Sequence, residues 1–246
     1  MKAELSEFQG LKGNKLLSSN QIIVEGPKGI RKLLQKNFKI KKVLIEDALT
    51  EEFSGLCDRA EEVFKLNSKE IKELTGFNYH KGLLALAEGD LYSPLEELKP
   101  PYLILNGLTS PENVGSIIRT ARAFKVESII IDSKTVSPYL RRCIRVSMGN
   151  IFDIKVHKTK NLLELMGELK KEGISFVGTA HLESSIDIKS WKSTESEAII
   201  IGSEGHGMDQ EIIEACDKVI KIPISDYVAH LNASVAASIV LYHRSL

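Results

Sequence analysis

The sequence predicts an α/β protein, and three observations carry that reading. Short runs rich in Ile, Val and Leu alternate with stretches of helical periodicity along all 246 residues. Many of those runs are apolar at nearly every position, as strands covered on both faces of a parallel sheet must be. Hydrophobic residues at 43% and charged residues at 27% are globular proportions, enough to fill one large core or two modest ones.

Residues 21–26 read as the first strand, and Pro27 opens a helix, since the first helical turn does not need the amide donor that proline lacks. Residues 41–46, 62–66 and 82–87 are further strands, with helical stretches at 51–60 and 68–74 between them. Three prolines in SPLEELKPP then interrupt the pattern, so residues 93–101 are expected to link a domain at 1–92 to one at 102–246. The second part continues with a strand at 102–105, a helix at 112–124, a strand at 128–131 and a helix near 140–148. A strand at 154–157, a helix at 162–171 and strands at 175–179, 198–201 and 219–223 follow. The last helix covers 232–243, and Leu231, Val235, Ile239 and Tyr242 are spaced to form one apolar face.

Composition excludes several classes. With 33 basic and 33 acidic side chains the chain is no histone-like polycation, and its hydrophobic content argues against disorder. The charge is uneven, however: residues 1–50 hold ten Lys or Arg against five Asp or Glu, and residues 117–145 hold seven against two. Arg141, Arg142 and Arg145 lie close together with no acid between them and are candidates for binding phosphates, as of a nucleic acid such as RNA, with a solvated helix face as the other reading. Cys57, Cys143 and Cys216 form no CxxC pair and read as reduced thiols, with no metal site. The N-terminus lacks the apolar run of a secretion signal, and the longest nearly apolar stretch, 233–242, falls short of the roughly 20 residues that span a bilayer. A soluble, cytoplasmic protein without a membrane partner is expected.

Three segments carry candidate chemistry. In Asn106-Gly-Leu-Thr-Ser-Pro-Glu-Asn-Val-Gly-Ser-Ile-Ile-Arg119, a strand end runs into a helix that Ser110 can cap, and Asn113 and Arg119 can project toward one side. An ordinary capped helix explains the same residues. In Ile199-Ile-Ile-Gly-Ser-Glu-Gly-His-Gly-Met208, three glycines after an apolar strand let the backbone approach a ligand, with Glu204 as polar anchor, or simply make a tight turn. Its GxxGxG spacing is not the dinucleotide fingerprint, and no Walker lysine or G-x-S-x-G elbow is present. In Ile222-Pro-Ile-Ser-Asp-Tyr-Val-Ala-His-Leu-Asn-Ala-Ser234, Asn232 and Ser234 open the last helix, where capping alone would account for them, and His230 precedes them.

In this order the segments resemble the three signature motifs of the SpoU/TrmH family in the SPOUT superfamily of RNA methyltransferases. The matches are Pro111, Asn113, Gly115, Arg119, Thr120 and Ala121, then Gly202, Ser203, Glu204, Gly205 and Gly207, then Ile222, Pro223, Leu231, Asn232 and Ser234. Residues 1–92, with Val24-Glu-Gly-Pro27, are similar to the small L30e-like α/β domain that precedes this catalytic domain in many members. The resemblance implies a parallel sheet with a C-terminal trefoil knot and S-adenosylmethionine as cofactor, held by Thr179, Gly202, Ile222 and Leu231. It implies methyl transfer to a ribose 2′-hydroxyl, in ribosomal more than transfer RNA, by a homodimer, with Arg119 central and Asn113, Glu204, Asn232 and Ser234 around it. The alternative is a catalytically silent RNA-binding or ribosome-assembly protein that keeps the knot. Asn106, Ser110, Asp226 and His230 depart from the family pattern, and His230 is expected to stand in for a serine and to touch RNA.

Overall fold

The computed structural model describes residues 5–11, 17–76, 81–203, 205–225 and 227–246. Its strands are β1 (Gln21–Glu25), β2 (Lys39–Ile45), β3 (Ala60–Lys65), β4 (Leu83–Glu88), β5 (Tyr102–Asn106), β6 (Ser128–Ile131), β7 (Lys155–Lys158), β8 (Ser175–Thr179), β9 (Ile186–Asp187), β10 (Glu197–Gly202) and β11 (Lys218–Lys221). Its helices are α1 (Gly26–Leu34), α2 (Ser54–Arg59), α3 (Ser68–Thr75), α4 (Pro111–Ala123), α5 (Arg141–Val146), α6 (Leu162–Lys171), α7 (Gln210–Ala215) and α8 (Ala233–Arg244). The chain divides into two compact units, Met1–Leu91 with Pro138–Phe152, and Tyr92–Ser137 with Asp153–Leu246.

The first unit is built on a mixed sheet in the order β1-β4-β2-β3. β2 and β3 are parallel, whereas β4 runs antiparallel to both of its neighbours. An apolar run reports burial on two faces and not strand direction. β4 is buried over Leu83–Ala87 because it is an inner strand, with Leu5, Phe8 and Leu11 packed against Leu84 and Leu86. β3, at the edge, keeps Glu61, Glu62 and Lys65 in solvent, which discourages pairing with another chain.

The segment Pro138–Phe152, which its sequence position assigns to the second domain, packs within the first unit. Glu25, its side chain 7% exposed, receives the guanidinium of Arg141, and Arg145 reaches the same carboxylate at 3.3 Å. Arg141 also donates to the Leu11 carbonyl at 2.7 Å. The three arginines therefore do not form a uniform phosphate patch. Arg141 is largely buried and committed to the fold, Arg145 is exposed but shares Glu25, and Arg142 lies in solvent.

In the second unit all pairings are parallel, in the order β7-β6-β5-β10-β8-β11-β9. β10 is the middle strand and is buried from Glu197 to Ile201. Ile104, Ile130, Phe176 and Ile200 meet Leu165, Met166 and Leu169 of α6 and Ile212 of α7, while α8 packs on α4 and β10. The apolar face read from the sequence on the last helix is not the one that enters the core. Ala233, Ala237, Val240 and Leu241 are buried, whereas Val235 and Tyr242 are 47% and 55% exposed. Two of the four inward residues are alanines, which lets α8 lie close against its neighbours.

Where β5, β6 and β10 end, a polar network ties the following loops together. The Asn106 amide donates to Asp132 at 2.8 Å and to Asp209 at 3.2 Å, and its oxygen accepts the Asp209 amide at 3.0 Å. Asp132 also receives the amides of Gly107 and Thr135 at 3.0 and 2.7 Å, and Lys134 binds both oxygens of Asp209. Lys134, and after it Asn106, hold the Asp209 carboxyl below the usual carboxylate range. The departure from an aspartate at position 106 thus has a local reason, because only an amide can donate to two carboxylates and accept an N–H at once.

Asn106→Asp should destabilise the protein by about 1–3 kcal/mol at neutral pH, measured by chemical denaturation, by placing a third carboxylate among acceptors. The stabilisation from Asp209 in the natural protein is present at neutral pH and is lost as the pH falls through its lowered value, below about 4. In the variant the crowded carboxylates bind a proton more readily, so the deficit relative to the natural protein should shrink between neutral pH and about pH 5.

Candidate active site

At the C-terminal ends of β8, β10 and β11 lies a cavity of about 320 Å³, a volume suited to a small-molecule cofactor. Ligands gather at this edge of parallel sheets because the strand ends leave a crevice between diverging loops. One wall is the turn after β10. Ser203 and Gly207 exchange backbone hydrogen bonds of 2.9 and 3.0 Å, and Gly207 has a φ of +69°, which side chains disfavour. The returning strand of this turn passes so close that a Cβ on Gly202 would lie 2.5 Å from Gly207 C and Met208 N. No side chain fits there, and the cavity is left with main chain as its surface.

The four residues expected to hold a cofactor, Thr179, Gly202, Ile222 and Leu231, all line this cavity. So does His230, expected at the RNA, together with His181, Lys221, Ala236 and Val240, which sequence reasoning did not single out. Lys221 adjoins Ile222 and could have been found from that adjacency. Ala236 and Val240 lie one turn apart on α8 and enter only through its packing. The Thr179 hydroxyl donates to the Ile200 carbonyl at 2.8 Å, and the Ser203 hydroxyl donates to Gly207 O at 3.2 Å, so neither proton is free for other work.

Beside the cavity, α4 and α8 are clasped by polar pairs. Asn232 donates to the Asn113 side-chain oxygen at 3.0 Å, and the hydroxyls of Thr120 and Ser238 meet at 3.2 Å. The partners occur in the same order along both helices, so the helices run in the same direction here. Asn232 also caps α8: its oxygen accepts the amides of Ser234 and Val235, and the Ser234 hydroxyl at 2.6 Å. Capping and inter-helix bonding are therefore performed by the two ends of one side chain. Ser110 caps α4 by accepting the Asn113 amide at 3.3 Å, as its sequence position predicts.

Asn113 and Arg119 do not share a side. Six residues advance a helix by about 600°, which leaves them about 120° apart. Asn113 is accordingly buried at 7% exposure, whereas Arg119 lies in solvent. Among the described residues the Arg119 guanidinium has no hydrogen-bond or ion-pair partner. Glu204 and Asp226, singled out above, lie outside the described residues.

Cys216 sits against Gly178 and Met208, where burial and then the neighbouring Asp217 push its thiol up to about 11, so it stays protonated and poorly nucleophilic at neutral pH. Among the described residues no helix is long and apolar enough to cross a membrane.

Residues 100–242 match the model of the SpoU rRNA methylase family. A TrmH family tRNA/rRNA methyltransferase of Staphylococcus epidermidis is 30% identical over 234 residues, which cover 90% of this chain and 94% of the relative. Among solved structures, the SpoU methyltransferase AviRb from Streptomyces viridochromogenes, in complex with the cofactor AdoMet, superposes with a TM-score of 0.85 at 22% identity, over 99% of this chain and 97% of that one. An RNA 2′-O ribose methyltransferase superposes with a TM-score of 0.80 at 25% identity, over 99% and 94% of the two chains. The family match spans more than half of the chain, and the likeness to the Staphylococcus relative extends along nearly all of it: the chain belongs to the SpoU/TrmH family.

Proposed function

We propose that this protein transfers a methyl group from S-adenosylmethionine to a ribose 2′-hydroxyl of RNA, with ribosomal RNA as the substrate. The observation that carries the reading is the cavity walled by main chain at Gly202, on which Thr179, Ile222 and Leu231 also converge. Support comes from AviRb, which is solved with AdoMet, and from the relative named for the ribose reaction. Ribosomal RNA is favoured by the description of the family and by the unit that precedes the family domain in this chain.

When bound, S-adenosylmethionine supplies an activated methyl on a sulfonium leaving group. What the protein adds is orientation and management of the hydroxyl proton. Gly202, Ile222 and Leu231 hold the cofactor through backbone atoms, and the Thr179 oxygen remains an acceptor. Arg119 stays protonated far above neutral pH, so its part is to bind the adjacent phosphate and stabilise the forming alkoxide, with Glu204 as the accompanying carboxylate. Asn113 and Asn232 hold the helix ends in place, with Ser234 fixing the Asn232 oxygen. His230, Arg142 and Arg145 meet the RNA.

A C-terminal trefoil knot, formed by the segment between β11 and α8, belongs to the same reading. The stripe of exposed Val235 and Tyr242 with partly buried Ile239 between them, extended by the edge contact of Tyr242 with Phe124, is covered by a second copy in a cytoplasmic homodimer.

The test is incorporation of tritiated methyl into ribosomal and transfer RNA from a strain lacking this protein, followed by mapping of 2′-O-methyl sites. Label in ribosomal RNA is expected. Label in transfer RNA alone would move the substrate, and cofactor binding without transfer to any RNA would leave the silent RNA-binding protein. Arg119→Lys should lower kcat roughly 100-fold at unchanged cofactor affinity, since a point charge lacks the guanidinium's planar fork of donors. Gly202→Ala should abolish cofactor binding in calorimetry, because the added Cβ displaces residues 207 and 208. Val235→Glu combined with Tyr242→Glu should turn a dimer into a monomer in sedimentation.

A further inference from the structure

We infer that Tyr227 is the platform on which a base of the RNA substrate stacks while its ribose is offered to the cavity, an inference that rests on the RNA-methyltransferase reading above. Tyr227 is 99% exposed, the most exposed large apolar side chain among the described residues, and Val228 beside it is half exposed. A tyrosine ring held wholly in water gains nothing for the fold. Ser225 accepts the Tyr227 amide on its hydroxyl at 3.2 Å and the Val228 amide on its carbonyl at 3.1 Å, which shapes the turn that carries the ring. The chain on either side of this turn returns to the cavity: Ile222 and Ile224 line it before the tip, and Ala229, His230 and Leu231 after it. The ring thus stands at the tip of a loop whose two limbs form the cavity wall.

The chemistry on offer is a flat, sequence-tolerant surface, since every nucleobase has a π-face to lay on it. Single-stranded or looped RNA, whose bases can be unstacked, fits such a surface, whereas a continuous A-form duplex keeps its bases stacked on each other. His230, three residues on, faces the cavity from the same loop and can follow the sugar-phosphate of the stacked nucleotide.

The experiment compares Tyr227→Ala, Tyr227→Phe and Tyr227→Trp in the full chain, with the RNA fraction that accepts methyl as substrate. Tyr227→Ala should raise the KM for RNA about tenfold or more, the loss of one stacked base, with kcat within about twofold and cofactor affinity in calorimetry unchanged. Tyr227→Phe and Tyr227→Trp should restore the KM. In Tyr227→Trp, single-stranded RNA should quench the new indole, read against the buried Trp191 of the natural protein, and duplex RNA should not. An unchanged KM in Tyr227→Ala, a failure of phenylalanine to rescue, or a change of oligomeric state in any of the three would overturn the inference. If the natural protein methylates no RNA, the reading beneath fails separately, and quenching by single-stranded RNA then decides on stacking by itself.

Discussion

The approach of the Gly207–Met208 backbone to Gly202 governs the geometry of the whole C-terminal edge of the seven-stranded sheet. β10 is the central strand, so the turn that follows it sets the height at which neighbouring loops can meet. With a side chain at 202 the turn would lift away from the strand, and the cavity would lose its wall of main chain. The adjacent inner strands β5, β10 and β8 are largely buried and apolar up to the polar residues Asn106 and Thr179 that end β5 and β8, and they form the floor for that turn. Rigid elements carrying a loop-built pocket are a common division of labour in parallel sheets.

Around this constraint the polar side chains divide into those that hold and those left available. Asn106, Asp132, Thr135 and Asp209 satisfy one another at the strand ends, and the Ser203 and Thr179 hydroxyls donate inward. Asn113 and Asn232 bond across two helices. Arg119 stands apart from this economy, exposed and unpartnered among the described residues. A charge that no structural duty has claimed can be given to an incoming anion without breaking anything. By the same reasoning Arg141, buried on Glu25, cannot be given up, and the basic stretch at 117–145 is less available to a polyanion than its count suggests.

Much of this was readable from the residues alone, and the failures have physical causes. Strand and helix positions follow hydrophobic periodicity, which is local, so each of the longer elements lies where its pattern places it. Direction is not local: β4 has the same apolar texture antiparallel in the mixed sheet as β10 has parallel in the other. Nor is partnership across distance, which is why the packing of residues 138–152 in the first unit was invisible, since an inserted helix looks like any other. β9, two residues long, has no period to detect. On α8 the large apolar residues read from the sequence do not mark the side that enters the core, which is made of Ala233, Ala237, Val240 and Leu241. Gly202, Ile222 and Leu231 of the cavity lining stand in sequence motifs, whereas Asp132 and Asp209 emerge only as partners of Asn106.

The clasp between α4 and α8 also bears on how the protein comes into being. Asn113 and Asn232 are 119 residues apart, and Thr120 and Ser238 are 118 apart. Every strand of the large sheet is synthesised before the helix that supplies Asn232, Ala236 and Val240. At about 5–20 residues per second, α8 is added only about one to five seconds after β11, the last strand of that sheet. The last helix docks on a seat flanked by α4 and β10, and with the sheet in place the only loop it has to close is the short connection from β11. The cavity is closed only when α8 docks, and without Ala236 and Val240 the strand ends would be a finished floor with nothing above it.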